Sequence, residues 1–449
     1  MFKRNIINEL ENWRNSSNRK PLILRGARQV GKTTAINLFA KQFEQYIYLN
    51  LEKQEDKEIF EKYSITEELI QAIFLIKNKQ RKIESTLLFI DEIQEVSAAI
   101  TQLRYFYELA PDIYVIAAGS LLETLFDKTV NFPVGRVEYR VIRPVSFFEY
   151  LGASRENTAL ELIKKVPIPE YAHDRLLKLF NIYTLLGGMP EIIDNYIKNN
   201  DLTLLKQIYE SLLISYIDDV EKYARNSTQV QLIRHAIQSA FDEAGKRIKF
   251  HGFGKSNYGS REMGEALRIL EKAMLIKLVY PTISTVNPIV PDKRKFPKLH
   301  ILDTGLINYF AGIQQDLIGI NDLSSTYQGI VAEHIVGQEL LAKDYNVLNS
   351  INFWIREKKT STAEIDYLYK YKNYIIPIEV KSGATGKLKS LHLFMDLVEH
   401  KMAIRIYSGN LSIDKIITHQ NKEFYLLNLP FYLISKIDDY LIWFENEIK

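Results

Sequence analysis

The sequence predicts an α/β protein that opens on a parallel, doubly wound sheet, continues through an all-helical segment and ends in a second region of mixed helices and strands. Three patterns predict this. Up to about residue 150 short apolar runs alternate with helical stretches, as β-α units require. From about 156 to 226 apolar residues recur at three- and four-residue spacing, with no convincing strand. From 313 onward strands and helices mix again.

In the first region strands are expected over 21–24, 46–51, 86–90, 113–117 and 137–141. The helical segment is marked by Leu176, Leu179, Phe180 and Tyr183, then by Leu205, Ile208, Leu212 and Tyr216. Residues 228–312 read as helices followed by a strand pair, 275–280 and 298–302, split by the turn-rich Asn287-Pro288 and Val290-Pro291-Asp292. In the last region a helix is expected over 327–342, strands over 363–369 and 374–381, a helix over 388–399 and a strand over 403–407.

Composition bounds the chemistry. With 449 residues, 46% of them hydrophobic, 25% charged, 13 proline and 20 glycine, the chain is globular and long enough for roughly two to four folded units. It has no cysteine, which excludes a disulfide scaffold, a thiolate zinc site and a cysteine nucleophile. The start lacks an apolar signal region, and no run approaches the ~20 apolar residues of a membrane span, so a cytoplasmic protein without a membrane partner is expected. A net charge of +3 is too near balance to imply a polyanionic partner for the whole chain. Residues 246–298 differ, with twelve basic against four acidic residues. That window reads either as an anion-binding surface or as a solvated lysine-rich face.

Gly26-Ala27-Arg28-Gln29-Val30-Gly31-Lys32-Thr33 matches G-x-x-x-x-G-K-[ST] between an apolar run and the helix-like stretch beginning at Thr34. The glycines let backbone N–H groups turn onto phosphates, Lys32 adds a point charge toward the β and γ groups, and the helix N-terminus contributes its dipole. Thr33 is then placed to ligate magnesium. ATP and Mg2+ are the expected ligands. A magnesium site also needs an acid at the end of a buried strand, and Leu87-Leu88-Phe89-Ile90-Asp91-Glu92 supplies Asp91 for the metal and Glu92 as general base toward the attacking water. The strand over 46–51 lies between the two motifs in sequence and is expected to separate them in the sheet.

With that inserted strand, the Asp-Glu pair and a following strand that leads into Ala118-Gly119-Ser120, the first 155 residues resemble an AAA-type P-loop ATPase. The resemblance implies that Ser120 senses the γ-phosphate. Gly135-Arg136-Val137, Arg143-Pro144-Val145-Ser146-Phe147 with Glu149, Gly187-Gly188-Met189-Pro190 and Leu302-Asp303-Thr304-Gly305-Leu306 are similar to one large prokaryotic family of these ATPases with a C-terminal half of unknown function. It implies an ATPase core over 1–155, a helical lid over 156–226 and two further units. Arg136 is then a candidate for the arginine that stabilises transition-state charge, in cis or from a neighbouring copy in an oligomer.

Residues 227–312, ordered helix, helix, strand, turn, strand, resemble a winged helix-turn-helix, with Lys293, Arg294, Lys295 and Lys298 as wing residues toward DNA. Such a module also serves as interdomain packing. In 313–449, Asp366 followed by Glu379-Val380-Lys381, with Glu333 on the preceding helix, is similar to the restriction-endonuclease-like superfamily. The likeness implies a second divalent-ion site on Asp366 and Glu379, with Lys381 stabilising or activating the attacking water. Two functions follow as expectations: nucleotide-controlled engagement or processing of nucleic acid, or a nucleotide-gated switch that binds protein partners through an inactive nuclease-like domain.

Overall fold

A computed structural model of the chain describes residues 2–81, 85–119, 133–222, 224, 226–312, 329–356, 363–382 and 388–449. These cluster into two compact units: residues 1–143 with 272–275 and 345–349, and residues 144–271 with 276–344 and 350–449.

The first unit is built on a five-stranded sheet of β1 (Leu22–Arg25), β2 (Gln45–Asn50), β3 (Thr86–Asp91), β4 (Ile113–Gly119) and β5 (Glu138–Val141), in the order β2-β3-β4-β1-β5. Every pairing is parallel. All six residues of β3 are buried, which explains its uninterrupted apolar run: a strand covered on both faces has no solvent side to alternate with. The sheet corrects one expectation. The strand that separates β1 from β3 is β4, whereas the inserted β2 lies outside β3 at the sheet edge. Chain order between two motifs does not fix strand order, and β2 extends the sheet outward because, among the described residues, it pairs with β3 alone. Both motifs still reach the same end, since Arg25 and Asp91 close parallel strands and the crevice outside those carboxyl ends is where such sheets bind ligands.

In the second unit the segment read as helical holds helices Phe147–Ala153, Asn157–Leu162, His173–Leu186, Pro190–Asn199 and Lys206–Glu221. Ser146 and Glu149 form a capping box at the first of them. Helices Ser227–Asp242 and Ser260–Lys272 follow, then β6 (Ile276–Val279), β7 (Pro281–Thr282) and β8 (Lys298–Ile301). Strands β6 and β8 pair antiparallel, and Arg247 bridges to Lys298 on the other side of β8.

Further along, β9 (Phe353–Ile355) pairs with β7 and with β10 (Glu364–Ile365). A second five-stranded sheet runs β11 (Tyr367–Tyr371), β12 (Tyr374–Val380), β13 (Met402–Tyr407), β15 (Glu423–Pro430) and β14 (Ser412–Ile417). The single strand expected over 363–369 is thus two strands in two sheets, broken at Asp366. Helix Gly329–Ala342 is buried over most of its surface, consistent with its scarcity of charged residues.

Two of the sequence motifs interlock in this unit. The buried Asp303 carboxylate accepts hydrogen bonds from Gly188 N at 2.5 Å and Leu306 N at 3.2 Å. A Cβ on Gly187 would lie 2.2 Å from Asp303 Oδ1, and one on Gly305 would lie 2.0 Å from Leu186 O. Only glycine permits this approach, so both motifs encode one turn-on-turn contact. Burial pushes the Asp303 carboxyl up to about 6 against those N–H donors.

Candidate functional site

The phosphate loop is shaped by two glycines. A Cβ on Gly26 would lie 2.6 Å from Ile142 O, and Gly31 takes φ 92° just before helix Lys32–Phe39. Gln29 also adopts a positive φ, of 65°, so the turn carries backbone strain of the kind found at binding loops. Lys32 is buried, and its Nζ donates to Gly26 O and Ala27 O, both at 3.0 Å. Arg28 lies 3.7 Å from Glu52, while Ala27 and Val30 pack inward and Thr34 is half-buried.

At the end of β3, Asp91 Oδ2 accepts from Thr33 Oγ1 at 2.8 Å and from Tyr48 Oη at 3.2 Å. Burial pushes the Asp91 carboxyl up, the Thr33 hydrogen bond opposes it, Glu92 adds to it and Lys32 opposes it. Glu92 sits in the left-handed region at φ 50°, half-buried, with Oε2 held 2.6 Å from Gln94 Nε2. A nucleoside triphosphate with magnesium fits these residues: the Gly26 cradle leaves no room for a side chain, a lysine stands inside the loop, and a hydroxyl and a carboxylate already share one point.

Tyr48 escaped the sequence reading. Its signal was present in the alternation of Tyr46, Tyr48 and Asn50 along β2, which aims all three to one face beside β3. Burial, with Asp91 adding, lifts its phenol above the ordinary range.

Ser120, expected to sense the γ-phosphate, lies outside the described residues. Arg136 ion-pairs with Glu108 at 2.9 Å, and Arg104 approaches the same carboxylate at 3.1 Å. Leu22 is opposite Glu138 and Arg25 opposite Val141, so Arg136 lies beyond the end of β5 opposite to the phosphate loop. Within one chain that arginine and that loop are at different ends of the sheet.

A second group of charged residues assembles in the other unit. Lys298 Nζ lies 2.5 Å from Glu333 Oε1 and 2.7 Å from Glu364 Oε1, and 4.9 Å from the centre of the Phe353 ring. Asp366 Oδ2 accepts from Val380 N at 2.8 Å, and Lys381 Nζ lies 2.6 Å from Glu379 Oε1. Burial, then Asp366, pushes Glu333 up to about 8, and the same two causes push Glu379 up to about 7. Burial also raises Asp366, with Lys298 opposing. For Lys298, burial lowers the ammonium but Glu333, Glu364 and Asp366 outweigh it and the net direction is up. Glu364 was missed in the sequence, although Glu364-Ile365-Asp366 places two acids one residue apart. Among the described residues no group of three or more His, Asp or Glu side chains is arranged to hold a metal ion.

The expectation for Lys298 as a wing residue is corrected here. Lys293 and Arg294 are exposed, Lys295 is half-buried and Arg294 Nε lies 2.9 Å from Asp292, but Lys298 is 8% exposed and faces carboxylates. Its register on β8 decides this, since that strand is paired on both sides.

Residues 18–151 match a family model described as an AAA domain. Residues 177–317 and 328–429 match two models described as domains of unknown function, DUF8612 and DUF4143. No curated protein matches the chain. Among solved structures, the chain is similar to the Walker-type ATPase PABY2304 of Pyrococcus abyssi, at 17% identity over 69% of this chain and 96% of that one, with a TM-score of 0.44. It is also similar to the RuvB Holliday junction branch migration motor of Thermotoga maritima, at 14% identity over 62% and 90% of the two chains and a TM-score of 0.28. The Orc1 protein of Aeropyrum pernix, in a complex with DNA, is similar at 11% identity over 68% and 90% with a TM-score of 0.28. The parallel sheet, the phosphate loop and the AAA domain match make the first unit an α/β P-loop NTPase fold with a nucleotide-binding loop. No described helix is long and apolar enough to cross a membrane.

Proposed function

We propose that this chain is a magnesium-dependent ATPase whose nucleotide state controls engagement of nucleic acid by its C-terminal half. The observation that carries the reading is the meeting of Lys32, Thr33 and Asp91, with Glu92 next in sequence, at the carboxyl ends of β1 and β3. In this reading the backbone N–H groups of 26–34 bind the triphosphate and Lys32 turns from the loop carbonyls to the β and γ oxygens. Thr33 and Asp91 would hold the magnesium, which when bound would supply positive charge to those oxygens. Glu92, steadied by Gln94, takes the proton of the attacking water. Arg136 serves a neighbouring copy. Magnesium-dependent phosphate release from ATP, lost in Lys32→Ala, tests the assignment, and release unaffected by that change rejects it.

For the second unit, the order of Ser227–Asp242, Ser260–Lys272, β6 and β8, together with the Arg247 bridge, supports a winged-helix reading with Lys293, Arg294 and Lys295 on the turn between strands. The convergence of Glu333, Asp366, Glu379 and Lys381 supports a restriction-endonuclease-like divalent-ion centre. A regulatory switch toward protein partners is the second reading, favoured by the enclosed state of Lys298 and by the lack of a ready metal cage among the described residues. DNA-stimulated ATP hydrolysis separates them: stimulation supports the first, and indifference to DNA supports the second.

A further inference from the structure

Lys298 lies in a basic window of the chain, yet its ammonium is withdrawn from solvent onto an aromatic floor and two carboxylates. Removing an ammonium from water is unfavourable unless close counter-charges replace its hydration. Here Glu333 and Glu364 do so at 2.5 and 2.7 Å, and Asp366 adds its field. Arg247, from the segment bridged to β8, reaches Glu364 at 3.9 Å. Glu379 gives one oxygen to Lys381, while its buried Oε2 has no hydrogen-bond partner among the described residues. Lys298, Glu333 and Asp366 also line a small cavity with room for about one water.

These facts conflict with a simple metal centre. Glu333 Oε1 and Glu364 Oε1 are both already held by Lys298, and among the described residues no group of three or more His, Asp or Glu side chains is arranged to hold a metal ion. We propose that Lys298 is the resident cation of this carboxylate centre: it occupies the position a divalent ion takes and has to be displaced before one binds. The inference rests on the reading of Glu333, Asp366 and Glu379 as a divalent-ion centre given above. It names how that centre is regulated. The lysine belongs to β8, which begins three residues after the basic turn at Lys293, Arg294 and Lys295.

Manganese binding to the nucleotide-free full chain, followed by electron paramagnetic resonance, tests this. Lys298→Met is expected to bind one Mn2+ at least about tenfold tighter than the unmodified chain, Lys298→Arg to bind no tighter, and Asp366→Asn added to Lys298→Met to remove the gain. If Lys298→Met binds no more tightly while Asp366→Asn alone weakens binding, the centre exists and Lys298 is not its resident cation. If Mn2+ binds to neither chain and Asp366→Asn changes nothing, the divalent-ion reading fails and the inference falls with it. A second measurement needs no substitution, so it stands even where Lys298→Met fails to fold. Acylation of the unmodified chain, read lysine by lysine, should rise at Lys298 at least about tenfold on Mn2+ saturation and stay level at Lys293 and Lys295. Unchanged Lys298 labelling under saturating Mn2+ overturns the proposal.

Discussion

Thr33 Oγ1 donates a 2.8 Å hydrogen bond to Asp91 Oδ2, joining the first turn after the phosphate loop to the end of β3 across 58 residues of sequence. Neither residue is remarkable in isolation; together they present a hydroxyl and a carboxylate at one point beside a buried lysine. That is the donor set a hard, oxygen-seeking cation such as magnesium selects. Lys32→Ala is therefore expected to weaken ATP binding roughly a hundredfold, the scale of about 2–3 kcal/mol for hydrogen bonds from a charged donor. Equilibrium binding of a fluorescent ATP analogue checks this, and affinity retained in the variant would remove Lys32 from the phosphate site.

The contact between the two glycine motifs predicts a purely structural effect. Gly305→Ala places a methyl group 2.0 Å from Leu186 O, too close for any rotamer to relieve. A loss of about 1–3 kcal/mol or more is expected, read as a lowered urea midpoint. An unchanged midpoint would mean that the turn does not hold this geometry in solution.

Glu339 predicts a pH dependence. The Tyr183 hydroxyl lies 2.7 Å from both Val145 O and Glu339 Oε1, and one O–H shared between two acceptors satisfies neither fully. A proton on Glu339 resolves this, in keeping with a carboxyl that burial pushes up to about 7 from 4.5. Because the folded state holds this proton more tightly than the unfolded chain, its contribution is fully present below about pH 4.5 and is lost as pH rises through about 7. The urea midpoint of the unmodified chain should therefore fall relative to that of Glu339→Gln between about pH 5 and 8. A difference that stays constant across this range would show that Glu339 is ionised throughout.

If the turn between β6 and β8 meets DNA, it does so through phosphates. Neutralising Lys293, Arg294 and Lys295 together should weaken DNA binding and flatten the dependence of its logarithm on salt by up to about 0.9 per lost contact. Fluorescence anisotropy over a salt series reads both. A slope and affinity unaltered by the triple change would take the turn out of the interface.

The phosphate loop and the Asp91-Glu92 pair were legible because each is a short local pattern tied to a strand end. Strand order was not. That β4 and not β2 separates β1 from β3 depends on pairings between segments far apart in sequence, which no local period encodes. Lys298 failed for a related reason: a lysine beside Lys293, Arg294 and Lys295 reads as surface charge until Glu333 and Glu364 are brought to it from two other elements. Strand β15 and helix Ile437–Glu447 were passed over as well. Glu423–Pro430 is buried over most of its length and so lacks the alternation of a half-exposed strand.

In the proposed ATP-hydrolysing site Glu92 is the base. The most direct measurement is steady-state phosphate release by Glu92→Gln at saturating Mg-ATP, made alongside its ATP affinity. Hydrolysis should fall by about 10²–10⁴-fold with affinity unchanged, since the substitution keeps shape and removes only the proton acceptor. Hydrolysis at the unmodified rate with ATP fully bound would contradict the account.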